Sequence, residues 1–351
     1  MKALRLHGHK DIRLEDVDDP AAGPGWSIVE VAWSAICQSD VKEYLGPLYA
    51  SPNASELMGV GLPVTLGHEF SGRIVETDGS RPDIEMGDRV AVDCCIKCGE
   101  CRYCREGNYI LCDRLAVVGF DAPGGFAQRV AVPNYGLHKL PDSLSDEEGA
   151  LIEPLAVVVH AVRRGRVAQG DVVSVVGGGM IGLGTLQVAR AAGASAVYVV
   201  ERLPSRRARA LALGATAAID PAAGDPAEQL QRLTDGYGAD VAFDCAGFQE
   251  SLDSALNLAR KGGRVVVVGV FKAPPVVDMN KVVLQEREII GSLGYVDDFP
   301  RAIALVADGQ VDANALISAR IALRDIVSEG FEKLIDEPDE HVRIVVDAQA
   351  V

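Results

Sequence analysis

The chain is short of positive charge: 34 lysines and arginines stand against 50 aspartates and glutamates, a formal net charge of −16 over 351 residues. Such a balance repels phosphate backbones and anionic bilayers, so nucleic acid and membrane surfaces are not expected as partners. An uninterrupted apolar run of membrane length is also missing. The greasiest segment, "VVSVVGGGMIGLGTLQVA", is long enough but holds five glycines and opens on β-branched residues, which suits a strand, a glycine turn and a helix. The opening "MKALRLHGHKDIRLED" carries charge throughout, so no secretory leader is expected there. Internal repeats and low-complexity tracts are absent too. Together these absences predict a soluble, cytoplasmic protein whose thiols stay reduced. Its length allows two domains with separate cores.

Two kinds of pattern divide the chain. Up to about residue 150, short alternating runs such as "WSIVEVAWS", "SGRIVETD" and "DRVAVDCC" are punctuated by Gly, Pro and Asp, as in strands joined by turns. From about 155, apolar strands ("DVVSVVGGG", "SAVYVVE", "DVAFDCAG", "RVVVVGV") alternate with helical stretches ("MIGLGTLQVARAAGA", "RRARALALGA", "SLDSALNLARKGG"). That rhythm predicts an α/β domain, a doubly wound parallel sheet covered on both faces. Near 291 the rhythm weakens, and "EHVRIVVDA" at the tail reads as one more strand, able to return to the first domain.

Gly177, Gly179 and Gly182 form GxGxxG directly after a strand, with Met180 and Ile181 opening the helix that follows. Glycines at these places permit a tight turn, close approach of backbone to a pyrophosphate, and close helix–strand packing; the helix N-terminus supplies free N–H groups. Glu201 closes the next strand, nineteen residues after Gly182, where a carboxylate holds an adenosine ribose 2′-hydroxyl. It favours NAD, because a carboxylate repels the 2′-phosphate of NADP. Arg202, Arg206 and Arg207 stand close by and offer that phosphate a partner. A plain βαβ unit with a glycine turn is the bland alternative.

Five of the eight cysteines lie within "CIKCGECRYCREGNYILC", and Cys94 directly precedes it. Cys98, Cys101, Cys104 and Cys112 have the spacing C-x2-C-x2-C-x7-C. Ferredoxin runs use a shorter last gap followed by proline, whereas Asp113 follows here. Four clustered thiolates suit a closed, structural zinc site; four metal-free thiols are the alternative. Cys94, Cys95 and Cys245 are surplus to the set. Further donors are scattered: Cys37 in "ICQSD", His68 and Glu69 in "LGHEFSG", Glu153 in "IEPLAV". Adjacent strand residues face opposite ways, so only one of His68 and Glu69 is expected as a permanent ligand unless the chain is irregular there.

With "GHEFSG", the four-cysteine lobe, "GNYILC", "KLPDSLSDEEGALIEPLAVVVHAV" and the glycine turn in this order, the chain resembles the zinc-containing medium-chain alcohol and polyol dehydrogenases over essentially its whole length. Within them it is most similar to the (R,R)-2,3-butanediol dehydrogenase branch, through "SDVKEYLGPLY", "PVTLGHEFSG", "GGFAQRVAVP", "IIGSLGY", "DDFPRAIAL" and "DEHVRIVV". The resemblance implies a partly open β-barrel catalytic domain over 1–153, with a zinc lobe at about 94–113, a Rossmann domain over 154–292, and a return to the catalytic domain over 293–351. It implies a catalytic zinc on Cys37, His68 and Glu153 with Glu69 able to exchange in, a structural zinc on the lobe cysteines, and homodimers or homotetramers paired through Rossmann sheets. The activity implied is NAD-linked oxidation of a secondary alcohol or vicinal diol, with sorbitol-type polyol, cyclitol or threonine 3-dehydrogenase as alternatives. A non-catalytic NAD- or zinc-binding protein is the alternative of another class, and it predicts loss of a donor that is present here. Ser39 is placed to take the hydroxyl proton. Where many of these enzymes carry a relay histidine, five residues after the ligand cysteine, this chain has Lys42, a poor acceptor at neutral pH, and water is expected in its stead. Tyr44, Leu45, Phe120 and Phe126 are candidates for either pocket lining or core.

Overall fold

The apolar runs of the middle of the chain pair as a six-stranded, all-parallel sheet. Its order is Ala217–Ile219, Ala196–Val200, Val172–Val176, Ala239–Asp244, Ala259–Val267 and Glu288–Gly291. Val173, Val175, Val199, Val241, Phe243 and Val265 are all fully buried, the burial expected of strands covered on both faces by helices. The strand order reverses beside Val172–Val176, so ligands belong outside the carboxyl end of that strand. The computed structural model describes residues 1–46 and 55–351, so the last three residues of "SDVKEYLGPLY" lie outside the described residues.

By contacts the chain falls into two units, Met1–Glu153 with Ile317–Val351, and Pro154–Leu316. In the first, Trp26–Ala35 is the hub, pairing antiparallel with Glu69–Thr77, Arg129–Pro133 and Arg343–Asp347. Leu137–Lys139, Arg89–Val92 and Ile317–Ala322 complete that seven-stranded sheet. A three-stranded sheet (Asp11–Asp16, Lys2–Gly8, Val64–Thr65) and a two-stranded ribbon (Cys95–Ile96, Ala116–Val117) make up the rest of this β-rich unit. Its core gathers Leu6, Ile36, Leu66, Phe126, Phe331 and Ile344; that of the second unit gathers Leu230, Ala242, Leu252, Leu256 and Val265.

The structure departs from the sequence reading at two places. "ARKGG", expected to end a helix, instead begins the strand Ala259–Val267, because its paired glycines hold a helix poorly. Residues 293–316, expected to return to the first unit, stay with the second. The helix Phe299–Ala307 buries Phe299, Ala302, Leu305 and Val306 there, and Asp298 ahead of it pairs with His160 at 2.9 Å and Arg163 at 3.0 Å. The return begins at Ile317. Among the described residues no helix is long and apolar enough to cross a membrane.

Candidate metal centres and dinucleotide turn

Cys37 is the N-cap of the helix Gln38–Leu45, and its N–H donates to Oδ2 of Asp40, three residues on, at 2.9 Å. The other oxygen of Asp40 stands 3.4 Å from Nδ1 of His68. One fully buried carboxylate therefore fixes the cysteine backbone and orients the imidazole, leaving Nε2 toward the site. Sequence reading missed Asp40; its signal was the helix-capping pattern in "CQSD". Ser39 Oγ lies 3.3 Å from His68 Nε2.

His68 and Glu69 do not face opposite ways. The chain enters the strand Glu69–Thr77 through Gly67 at φ +95°, where a Cβ would come within 2.7 Å of the Phe126 backbone nitrogen. His68 thus precedes the regular strand, and donor atoms of Cys37, His68 and Glu69 all lie within 4.8 Å of one another. Glu153, second in the helix Ile152–Arg164, is buried but outside this group, 4.0 Å from the Cys94 sulfur that donates to it. The resemblance implied Cys37, His68 and Glu153, with Glu69 close enough to exchange in; the irregular entry at Gly67 brings Glu69 to Cys37 and His68, and Glu153 is buried beside Cys94.

The charges here act at close range. Burial alone would raise the Cys37 thiol, but the facing His68 ring, with Arg343 behind it, outweighs burial and brings it to about 5. Burial disfavours the His68 cation, yet Asp40 and Cys37 push its pKa well above the ordinary value. A thiolate facing an imidazolium must release a proton when a cation takes its place. Burial pushes Glu69 well up against the pull of Arg343, and lifts Glu153 to about 7. Arg343 is the second residue that sequence reading missed: its Nη1 stands 3.2 Å from Oε2 of Glu69, with both side chains buried. Neither His68 Nδ1 nor Glu69 Oε2 completes a hydrogen bond among the described residues. His68 Nδ1 faces Asp40, but a largely buried set of S, N and O donors within 4.8 Å of one another fits a zinc ion. Phe120 packs on the His68 ring at 4.9 Å, Tyr44 and Phe126 belong to the core, and Leu45 is exposed.

The lobe sulfurs of Cys98, Cys101, Cys104 and Cys112 also lie within 4.8 Å of one another, Cys98 and Cys104 at 3.9 Å. Four sulfurs about 2.3 Å from one zinc stand about 3.8 Å apart, so the set fits a tetrahedral ion. Backbone N–H groups of Cys98, Cys101 and Cys104 donate to the sulfurs of Cys112, Cys98 and Cys101 at 3.4, 3.4 and 3.5 Å. Hydrogen bonds from the backbone bring Cys98 down to about 6, whereas burial pushes Cys104 up to about 12. Cys94, Cys95 and Cys245 lie outside both sets, and all eight cysteines are free thiols.

In the second unit Gly177 takes φ +101°, and Gly179 caps the helix Met180–Ala191, so Met180 and Ile181 form its first turn. A Cβ on Gly182 would stand 1.8 Å from the Gly177 carbonyl oxygen. Gly182→Ala is therefore expected to displace the turn and raise the KM for dinucleotide at least tenfold, checked by steady-state kinetics; unchanged KM would refute the packing role. Glu201 accepts the Gly178 N–H at 2.6 Å and the Leu203 N–H at 2.8 Å, which sets its carboxylate at the end of the strand beside the turn. Arg206 flanks the turn, its Nη1 3.8 Å from where a Cβ of Gly179 would lie. Arg207 is occupied elsewhere, by Asp220 at 2.8 Å.

Residues 23–142 match the alcohol dehydrogenase GroES-like domain, and residues 181–308 the zinc-binding dehydrogenase family. The chain is 38% identical to the (R,R)-butanediol dehydrogenase of Bacillus subtilis (strain 168), over 99% of each chain. It is 30% identical to a sorbitol dehydrogenase of the same organism, over 99% of this chain and 97% of that one. The crystal structure of 2R,3R-butanediol dehydrogenase from Bacillus subtilis superposes with a TM-score of 0.92 at 37% identity, again over 99% of each chain. Likeness of that extent, reaching both units and both donor sets, places the chain in the zinc-containing medium-chain alcohol and diol dehydrogenases, as an NAD-linked oxidoreductase.

Proposed function

We propose that the enzyme interconverts a small vicinal diol and its hydroxyketone, with (R,R)-2,3-butanediol and acetoin as the favoured pair. The full-length likeness to the Bacillus butanediol enzyme carries this reading. Bound zinc supplies a Lewis acid that lowers the pKa of an alcohol hydroxyl toward neutrality, and NAD supplies the hydride acceptor. Cys37, His68 and Glu69 hold the metal, with Glu153 buried nearby as a further carboxylate. Asp40 keeps the His68 ring oriented by standing at Nδ1. Ser39 Oγ takes the substrate hydroxyl proton while passing its own to water, since Lys42 does not serve as acceptor. The lobe cysteines hold the structural zinc.

Turnover with the three butanediol stereoisomers, sorbitol, threonine and a simple secondary alcohol tests the substrate. The expected result is a kcat/KM for (R,R)-butanediol at least tenfold above the others; equal or better use of sorbitol or threonine would overturn it.

Gly177, Gly179, Met180, Ile181 and Gly182 cradle the pyrophosphate, Glu201 takes the ribose, and Arg206 flanks it. Glu201→Ala is expected to lower kcat/KM for NAD roughly 10–100-fold, the loss of a charged hydrogen bond. NADP would lose little, so the ratio of the two cofactors reads the effect directly.

We place the homo-oligomer contact on the strand Glu288–Gly291, the last of its sheet, which leaves one edge unpaired. Ile289 on it and Val283 and Leu284 just before it are exposed, the last by 77%. Sedimentation equilibrium of an Ile289→Lys variant tests that placement. Eight free thiols support a reducing, cytoplasmic setting.

A further inference from the structure

Among the described residues, the ion pair with the least exposed side chains joins Glu69 to Arg343, 274 residues further along the chain. Arg343 lies at the start of the strand Arg343–Asp347 with 4% of its surface exposed, and Glu69, its partner, has 1%. The same Nη1 that stands 3.2 Å from the Glu69 carboxylate also donates to the carbonyl of Ile36. Ile36 directly precedes Cys37, and its own N–H donates to the Ile344 carbonyl at 3.0 Å. Both backbone hydrogen-bonding groups of the residue before the ligand cysteine are thus held by Arg343 and Ile344.

A buried guanidinium is costly to keep. Its Nε finds no hydrogen-bond partner among the described residues. Well-packed apolar side chains usually serve stability as well as a buried ion pair does, so the pair needs another reason. Geometry supplies one: strand pairing already sets Glu69 opposite Ala35, two residues before Cys37, and a single rigid fork adds side-chain control by touching both the segment that carries Cys37 and the carboxylate of Glu69.

We propose that Arg343 is a positioning residue for the Cys37–His68–Glu69 set, fixing the spacing between its cysteine and carboxylate donors. The proposal rests on these three residues being the catalytic zinc ligands. Its consequence is a loss of metal retention at this site alone when the fork is removed, with the lobe zinc untouched.

The test uses holoenzyme, a chelator such as dipicolinate, and zinc counted with time. Two zinc ions per wild-type chain, measured first, establish the ligand assignment; one ion per chain would fault that assignment and the proposal with it. Arg343→Gln is expected to release one zinc roughly 10–100-fold faster than wild type, and the other at the wild-type rate. Arg343→Lys keeps the charge without the fork and should fall between the two. With cobalt in place of zinc, the visible absorption of the Cys37 site should shift in Arg343→Gln. A lowered thermal midpoint with wild-type zinc release and an unchanged cobalt spectrum would mean a merely structural role and overturn the proposal. If Arg343→Gln does not fold, Arg343→Lys decides alone, and wild-type release from it overturns the proposal.

Discussion

Replacing His68 with alanine is expected to leave one zinc ion per chain instead of two and to lower kcat for diol oxidation by roughly 10⁴-fold. The imidazole is one of three donors within 4.8 Å of one another, and no other histidine belongs to that group. Without the ring, the Cys37 thiolate loses the partner that offsets its burial, so its pKa climbs and the sulfur becomes a poorer ligand. A rate loss of that order is what losing metal polarisation of a hydroxyl should cost. Metal analysis and steady-state rates on the same preparation check it. Retention of both ions with a small loss of rate would place the catalytic metal elsewhere.

Cys112→Ser should fail differently. Past its two-stranded ribbon the lobe has little to hold it besides sulfur: between residues 97 and 113 there are a four-residue helix at Arg102–Arg105 and a short turn at Tyr109–Leu111, and only Tyr109, Ile110 and Cys112 are buried. Structural zinc contributes about 10–16 kcal/mol of apparent binding free energy to small metal-dependent folds. Cys112 accepts from the Cys98 backbone as well as offering a ligand, so its loss removes a donor and a hydrogen bond together. The expected result is one zinc per chain and a thermal midpoint lower by roughly 10 °C or more. The fraction that stays folded should keep its turnover, because no lobe sulfur belongs to the Cys37 set. An unchanged midpoint with two zinc ions would refute the structural role.

The two sites were not equally legible in the sequence. The lobe's ligands lie close together along the chain, and their spacing alone narrows the chemistry to a closed metal site. The glycine turn was legible for the same reason, since strand, turn and helix are contiguous. Asp40 left only a local capping signal, and its contact with His68 was not legible; Arg343 left none, because it acts only through contacts with segments far away in sequence. Glu69 was legible only with a proviso: strand alternation separates neighbours unless the chain is irregular, and Gly67 with φ +95° supplies that irregularity ahead of the strand. The helix at Phe299–Ala307 escaped assignment to the second unit because the strand that follows it, Ile317–Ala322, joins the sheet of the first unit instead of continuing the rhythm.

The hydrogen bond from Arg343 to Ile36 spans 307 residues, and this sets an order of events during synthesis. The lobe's four cysteines have all emerged once residue 112 is out, 231 residues before Arg343. At roughly 5–20 residues per second that interval is about 10–50 s. The donors Cys37, His68 and Glu69 emerge earlier still, so on the proposal above what arrives last at that site is Arg343, the group that fixes their spacing. The lobe can then hold its ion while the chain is still being made, whereas the other site reaches its final geometry only with the last strand.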